Sequence, residues 1–292
     1  KMFAMGSCSP CKTIDCPEPC FGLTEYPPAD VLDGSRRIGS LLLPTVSIQL
    51  CTLDRPELLR HALALIAGQT YSLDLVEVVV VDDSPTCAWS SIEDEHWLMA
   101  VTYCWFDRQV PLGRKRNWAA SHAKGAVVAH WDDDDWFGST RLSWQIGAMV
   151  SCGAGATFLT PLHIYSASSD RFYTLPHALS DQAEGLVGNL DGVGFSLCTL
   201  CYRTRLFSPS DGVQYPESWE ASGYEDVRFL KALMEADNTV VQRLPPGTVP
   251  FVYVRHSASI TIKQGWMTDK LLEGWGAAPG ERPQMQLPRP SA

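Results

Sequence analysis

The stretch that most limits the possible fold is Leu75 to Val81 (LVEVVVV), a nearly unbroken run of apolar residues. Runs of this kind are typical of parallel strands that helices cover on both faces. The run ends at Asp82-Asp83-Ser84-Pro85, where acidic and turn-forming residues replace the valines. The sequence therefore predicts a buried strand of a parallel sheet, with carboxylates at its end.

Other segments extend this strand into an alternating pattern of strands and helices. Three segments have strand-like patterns: Thr45 to Leu50, Val101 to Phe106 and Ala126 to Trp131. Helical patterns occur at Leu58 to Ile66, Asn117 to Lys124 and Asp226 to Ala236, and further strands are predicted at Thr157 to Leu162 and Phe195 to Tyr202. Alternation of this kind predicts an α/β fold with a Rossmann-like open sheet. The ligand crevice of such a sheet lies outside the carboxyl ends of its strands.

Consecutive aspartates, Asp132 to Asp135, follow the predicted strand that ends at Trp131. Adjacent carboxylates repel one another, so an unpaired cluster has raised pKa values or spreads into solvent. A divalent cation such as Mg2+ or Mn2+ offsets the repulsion, because carboxylates and substrate phosphates together hold it. A solvated acidic loop and a calcium site are the alternatives for this segment taken alone. A full EF-hand loop is excluded, because its glycine and its terminal glutamate are missing at the required spacing.

The overall composition excludes several classes of protein. The 292 residues are 45% hydrophobic and 19% charged, which suits a globular chain with a sizeable core. A formal net charge of -10 does not suit a protein that binds nucleic acids. No apolar run approaches the roughly 18 residues that span a membrane, and no signal peptide is visible. By default, the sequence predicts a cytoplasmic protein with no transmembrane segment and no nucleic-acid partner.

Cysteines and prolines are concentrated at the start of the chain. The spacing of four cysteines fits either a structural Zn2+ site or two disulfides, within a segment that is otherwise irregular: Cys8, Cys11, Cys16 and Cys20. The end of the chain has the composition of a loose tail. The sequence therefore predicts an irregular leader at 1–43, a single domain at 44–275 and a flexible tail at 276–292.

Three ordered sequence blocks resemble the family 2 glycosyltransferases with the GT-A fold. They are VSIQLCTLDRPELLRHALALIAGQT, VEVVVVDDSP and PLGRKRNWAASHAKGAVVAHWDDDDWF, and a later block is GYEDVRFL at Gly223 to Leu230. The resemblance covers roughly Pro44 to Ile262. It implies a nucleotide-binding half at 44–137, with a mostly parallel sheet flanked by helices, and a smaller mixed acceptor-side half at 138–275.

The resemblance implies that one group of residues binds the nucleotide: Cys51, Thr52, Leu53, Asp83, Arg114, Arg116 and Asp133. The first three follow the first strand and cradle the base and ribose. Asp83 accepts a hydrogen bond from the base, and the arginines contact the base or the diphosphate. The family usually has Pro or Thr, and then an aromatic residue, at the positions that Cys51 and Leu53 occupy in this chain.

The resemblance also implies a metal site and a catalytic pair. Asp132, Asp134 and His256 hold Mn2+ or Mg2+, with Asp132 to Asp134 as the DxD motif of the family. Glu225 and Asp226 match the ED motif, and Asp226 is the base that deprotonates the acceptor. Further contacts are implied for a phosphate clamp and a sugar-binding surface: Arg255, Lys263 and Trp219.

Together these residues imply an inverting, metal-dependent glycosyltransferase of the hexosyltransferase type. Its donor is a nucleoside diphosphate sugar, with UDP favoured over GDP, and its acceptor is a glycan, a lipid or a protein. Two other functions are possible for this sequence. A sugar nucleotidyltransferase needs a glycine-rich phosphate loop, which CTLDRPELL lacks. A non-catalytic protein on the same fold would bind a nucleotide sugar or a glycan without turnover.

Overall fold

The computed structural model describes residues 35–38, 41–89, 92, 97–159, 163–174, 194–236, 241–244, 251–256 and 278–279. The cysteines of the predicted zinc site lie outside the described residues, as does Lys263: Cys8, Cys11, Cys16 and Cys20. Two short strands, β1 (Ser35–Ile38) and β2 (Leu41–Pro44), pair antiparallel within the segment that the sequence predicts to be an irregular leader.

Seven strands form the main sheet: β3 (Val46–Thr52), β4 (Val76–Asp82), β5 (Ala100–Trp105), β6 (Val127–Asp132), β8 (Ala156–Leu159), β11 (Cys201–Arg203) and β12 (Val241–Leu244). Their order is β12-β8-β11-β6-β3-β4-β5. All neighbours pair in parallel except β11, which lies antiparallel to both β6 and β8. The predicted α/β fold with a mostly parallel sheet is therefore confirmed.

Four α-helices accompany the sheet in the described part of the chain: α1 (Pro56–Ala67), α2 (Leu112–His122), α3 (Arg141–Ser151) and α4 (Glu225–Glu235). Helix α1 begins at a proline, whose fixed φ suits the first helical turn. Its apolar face, which includes the fully buried Leu59 and Leu63, belongs to the same core cluster as Ile48 and Val78 of the sheet. None of the described helices is long and apolar enough to cross a membrane.

The start of α2 differs from the prediction. The sequence predicts a helix from Asn117, whereas α2 begins at Leu112. Its first turns contain Lys115 and Arg116, which are buried against polar groups of the site and not against the apolar core. These charged residues hide the helical period of apolar residues on which the prediction depended.

A second sheet, of five strands, adjoins the aspartates. It contains β7 (Trp136–Phe137), β9 (His163–Ser166), β10 (Arg171–Thr174), β13 (Phe251–Arg255) and β14 (Ala278–Pro279), in the order β14-β10-β9-β13-β7. Strand β14 lies within the segment predicted to be a flexible tail. The strand predicted at Phe195 to Tyr202 is instead a short helical turn, Gly194–Thr199, followed by β11. Asp132 to Asp135 thus join β6 of the main sheet to β7 of the second sheet.

Gly113 allows α2 to approach the chain that precedes α4. A Cβ at this position would lie 2.0 Å from the carbonyl oxygen of Pro216. We expect Gly113→Ala to lower the free energy of unfolding by about 1–3 kcal/mol, as overpacked sites do, which urea denaturation measures. The matched control is Gly147→Ala in α3, where nothing lies within 4 Å of the added carbon. If Gly113→Ala is as stable as the parent, the backbone at Pro216 moves away from the added carbon without a cost in free energy.

Candidate active site

The carboxyl ends of three parallel strands bring the predicted site residues to one edge of the sheet. Thr52 of β3 is aligned with Asp82 of β4, and Cys51 is aligned with Asp132 of β6. Asp83 directly follows β4. The predicted residues at the ends of these strands therefore lie together at this edge, with the aspartates beside the end of β3.

Each aspartate of the acidic turn (Asp132 to Asp135) has different partners. Asp133 is buried and accepts a hydrogen bond of 2.7 Å from the Thr52 hydroxyl. The Oδ2 atom of Asp134 lies 2.8 Å from Arg55 and 2.9 Å from Nε2 of His256.

Asp135 and Asp132 are the least and the most exposed aspartates of the acidic turn. Asp135 is fully buried and accepts a hydrogen bond from the amide of Val254 in β13. Asp132 has the most exposed side chain of the turn, at 36%. Cationic partners therefore offset the predicted repulsion at Asp132, Asp133 and Asp134, whereas Asp135 has the backbone amide of Val254 as its partner.

The four carboxyl groups also differ in pKa. Burial raises the pKa of Asp133 to about 6, although the charge of Arg55 opposes this. Burial, together with the charges of Asp134 and Asp132, holds the pKa of Asp135 well above its ordinary value. Burial would also raise the pKa of Asp134, but Arg55 and His256 outweigh it and lower that pKa. Asp134 is therefore the member of the turn that most strongly keeps its negative charge.

Two of the three residues predicted to hold the metal, Asp134 and His256, are spaced as neighbouring ligands of a hard divalent cation. Octahedral Mg2+ with bonds of about 2.1 Å places neighbouring ligand atoms about 3 Å apart. The oxygen of Asp134 and the ring nitrogen of His256 lie 2.9 Å apart. Asp132 is near enough to Asp134 for its pKa to be raised by burial and by that charge.

A group of three potential ligand residues in the described part of the chain includes Asp132 but neither Asp134 nor His256. Potential ligand atoms of Asp132, Asp135 and Cys198 lie within 4.8 Å of one another. Asp135 and Cys198 are buried, and burial holds the pKa of each well above its ordinary value. A cation there would have to displace the protons that these raised pKa values favour, and a thiolate is a soft ligand that suits a hard cation poorly. Asp134 and His256 thus form a pair at the spacing of two ligands of one cation, whereas Asp132 groups with Asp135 and Cys198.

Arg116 connects the acidic turn to α4. Its buried guanidinium lies 3.7 Å from Asp132 and 3.3 Å from Glu225. A third contact, of 2.6 Å, joins it to Nδ1 of His130. Residues 116, 132 and 225 therefore form one electrostatic group, although the resemblance assigned Arg116 to the nucleotide.

Glu225 and Asp226 lie in the first turn of α4, as the helical pattern predicts. The Glu225 carboxylate accepts a hydrogen bond from the amide of Gly223. Burial and the charge of Glu225 raise the pKa of Asp226 to about 8, against the opposing charge of Arg116. A carboxylate with a pKa near neutrality is suited to accept a proton during a reaction.

The proposed contacts to the base lie beside α2. Asp83 is buried, and its carboxylate accepts hydrogen bonds from Nζ of Lys115 at 2.6 Å and from the amide of Val110 at 3.0 Å. Arg114 is exposed, with its guanidinium 5.8 Å from the centre of the Phe106 ring. Because a carboxylate accepts up to about four hydrogen bonds, Asp83 retains capacity for a ligand.

The remaining predicted residues are distributed around this edge. Cys51 is half-buried, and burial raises the pKa of its thiol to about 12. Leu53 is partly exposed at the end of β3, and Trp219 is 58% exposed on a short turn before α4. Arg255 is buried and donates a hydrogen bond to Ser166 of β9, which places one arm of its guanidinium in the second sheet.

Sequence reasoning missed two cations of the site, Arg55 and Lys115. Arg55 contacts both Asp133 and Asp134 at 2.8 Å, and Lys115 pairs with Asp83. Arg55 lies between the end of β3 and the proline that begins α1. This position at the carboxyl edge of the sheet could have indicated that Arg55 belongs to the site. Lys115 lies between the two arginines that the resemblance selected.

Comparison with known proteins gives a family context. The model of the family described as Glycosyl transferase family 2 matches residues 47–207, whereas no curated protein matches the chain. A solved structure of S. aureus TarS, residues 1–349 in complex with UDP-GlcNAc, is similar with a TM-score of 0.56. It is 17% identical, over 74% of this chain and 60% of that chain.

A second solved structure is the mannosyltransferase PcManGT from Pyrobaculum calidifontis in complex with GDP-Man and Mn2+. Its TM-score is 0.54 at 18% identity, over 76% of this chain and 60% of that chain. The chain thus spans 60% of the length of either structure. The likeness confirms the predicted GT-A fold.

Proposed function

Because the chain belongs to glycosyl transferase family 2, we propose that it transfers a sugar from a nucleoside diphosphate sugar to an acceptor hydroxyl. The proposed reaction depends on Mn2+ or Mg2+, inverts the anomeric carbon and uses a UDP-sugar as the favoured donor. The solved complexes of TarS with UDP-GlcNAc and of PcManGT with GDP-Man and Mn2+ have a similar fold, which supports a donor of this class.

The observation that carries the proposal is the placement of Asp226. It lies at the start of α4 beside Glu225, and Arg116 links Glu225 to Asp132 across the crevice. The pKa of the Asp226 carboxylate is about 8, and Asp132 of the acidic turn lies near enough for its charge to contribute to the raised value. In a direct displacement, such a base and the departing nucleotide lie on opposite sides of the anomeric carbon.

In the proposed mechanism, Asp226 removes the proton from the acceptor hydroxyl, whose oxygen attacks the anomeric carbon while the bond to the diphosphate breaks. Thr52 and Asp83 would hold the nucleoside, and Asp134 and His256, with Asp132 as a further predicted ligand, would hold the metal. The cation, when bound, neutralises the charge that develops on the departing diphosphate. Arg116 contacts both Glu225 and Asp132, and so fixes the position of the Glu225–Asp226 pair relative to Asp132.

The decisive experiment incubates the protein with a panel of nucleotide sugars and Mn2+ and follows the release of nucleoside diphosphate. UDP-sugars are expected to give the highest rates, and NMR of the product is expected to show an inverted anomeric carbon. Release that depends on an added acceptor distinguishes transfer from hydrolysis. Nucleotide binding without release from any donor would favour a non-catalytic binding protein.

The pH dependence of turnover follows from the raised pKa of Asp226. Because the base acts in its deprotonated form, we expect kcat/KM to rise with pH and to level off above about 8. Glu225→Gln removes a negative charge that raises this pKa, so its profile is expected to shift to lower pH. A pH–rate series on both proteins measures the shift.

The control for the pH series is Glu235→Gln, which removes a charge of the same sign at the exposed opposite end of α4. Its profile is expected to match that of the parent. A rate that falls with rising pH between about 6 and 9, the range around the Asp226 pKa, would contradict the assignment of the base.

A further inference from the structure

Arg55 bridges two carboxylates of the acidic turn. Its Nη2 lies 2.8 Å from Oδ1 of Asp133, and its Nη1 lies 2.8 Å from Oδ2 of Asp134. The side chain is only 25% exposed. The contact with Asp134 is a hydrogen bond, and the contact with Asp133 is an ion pair. One guanidinium charge is thus held by two carboxylates.

The contact with Asp134 uses the same oxygen that is proposed to bind the metal. Oδ2 of Asp134 also lies 2.9 Å from Nε2 of His256. One carboxylate oxygen offers about two acceptor positions, and both are taken in this arrangement. A metal ion that binds this oxygen of Asp134 therefore has to displace one of the two nitrogen groups.

The chemistry of the two groups decides which one leaves. Neutral histidine has a ring nitrogen that can itself bind a divalent cation. Arginine stays protonated at all physiological pH values and offers no lone pair to a metal. His256 can thus join the metal, whereas Arg55 can only repel it.

We propose that Arg55 occupies Asp134 in the metal-free protein, that the divalent cation displaces it, and that the displaced guanidinium then pairs with the diphosphate of the donor. This inference rests on the proposed function. Its consequence is reciprocal coupling, because metal and nucleotide each strengthen the binding of the other. In the absence of nucleotide, the metal competes with a fixed positive charge and binds weakly.

The test measures Mn2+ binding to the whole protein without nucleotide, by electron paramagnetic resonance of free Mn2+. Removal of a unit charge this close to a divalent cation is expected to strengthen binding, so Arg55→Gln should bind Mn2+ roughly tenfold more tightly than the parent. The matched control is Arg60→Gln, which removes the same charge from the solvent side of α1, where Arg60 pairs with Glu57. Its Mn2+ affinity should equal that of the parent.

A second variant and a second ligand complete the design. Arg55→Lys keeps the positive charge but lacks the planar guanidinium group, so its Mn2+ affinity should stay close to that of the parent. UDP should increase Mn2+ affinity in the parent by a larger factor than in Arg55→Gln, since the variant lacks the guanidinium that pairs with phosphate. Circular dichroism checks that each variant is folded.

The outcomes separate this inference from the proposed function. If the parent binds Mn2+ and Arg55→Gln binds it no more tightly, the competition is disproved while the metal site stands. An equal gain in Arg55→Lys and Arg55→Gln would also overturn it, because charge would not be the cause. If neither the parent nor the variants bind Mn2+, with or without UDP, the metal dependence of the proposed function fails as well.

Discussion

Asp226→Asn is expected to lower kcat by about 1000-fold, within the range of about 100-fold to 10,000-fold that general acid–base groups contribute. Asparagine matches the shape of the aspartate but accepts no proton, so the acceptor hydroxyl stays protonated as it attacks. Donor binding should persist, because the proposed nucleotide contacts lie at the ends of β3 and β4. Turnover assays with saturating donor and Mn2+, together with calorimetry of UDP binding, measure the two effects separately.

The control for this variant is Glu220→Gln, which alters an exposed carboxylate in the turn before α4. It should keep the turnover of the parent. Unchanged turnover in Asp226→Asn would refute the assignment of the base. A loss of UDP binding equal to the loss of turnover would instead indicate that Asp226 holds the donor.

The second large effect is expected at Asp134. Asp134→Asn removes the negative charge that the structure keeps most strongly ionised in the acidic turn. Loss of even a supporting partner of a metal ligand weakens metal binding by about 10-fold to 100-fold, so we expect the Mn2+ affinity to fall by about 100-fold or more. UDP binding measured by calorimetry should weaken in parallel, and a chelator should weaken it in the parent to a similar extent.

Asp135→Asn is the matched control within the same turn. Asp135 is fully buried, and the hydrogen bond that its Oδ1 accepts from the amide of Val254 can be accepted equally by the side-chain oxygen of asparagine. Its Mn2+ affinity should stay close to that of the parent. If Asp135→Asn loses the metal and Asp134→Asn keeps it, the ligands are shifted by one position along the turn.

Local sequence patterns predicted the main sheet well. Leu75 to Val81 required a strand covered on both faces, and β4 is buried along most of its length as a neighbour of β3 and β5. The start of α2 was predicted five residues late, because Lys115 and Arg116 serve the site and not the core. The antiparallel position of β11 between β6 and β8 depends on long-range pairing, which no local pattern encodes.

The site was predictable as a set of residue types but not as a set of contacts. Strand ends gave Asp83 and the acidic turn, since parallel strands share a carboxyl edge. The partners of these carboxylates come from distant segments. Arg55 is 79 residues from Asp134, and Arg116 reaches Glu225 across the crevice. Such ion pairs depend on how elements pack, so the sequence alone predicted the carboxylates and missed the cation Arg55.

The partners of the acidic turn in β13 and just after it also have a consequence for the order in which the protein is made. Val254 and His256 lie 119 and 122 residues after the aspartates that they contact. The segment that the family model matches ends at residue 207, before α4 and β13. During synthesis, the strands β3, β4 and β6 leave the ribosome long before these partners exist. The contacts of the acidic turn can therefore be completed only after β13 has been synthesised, later than the central strands.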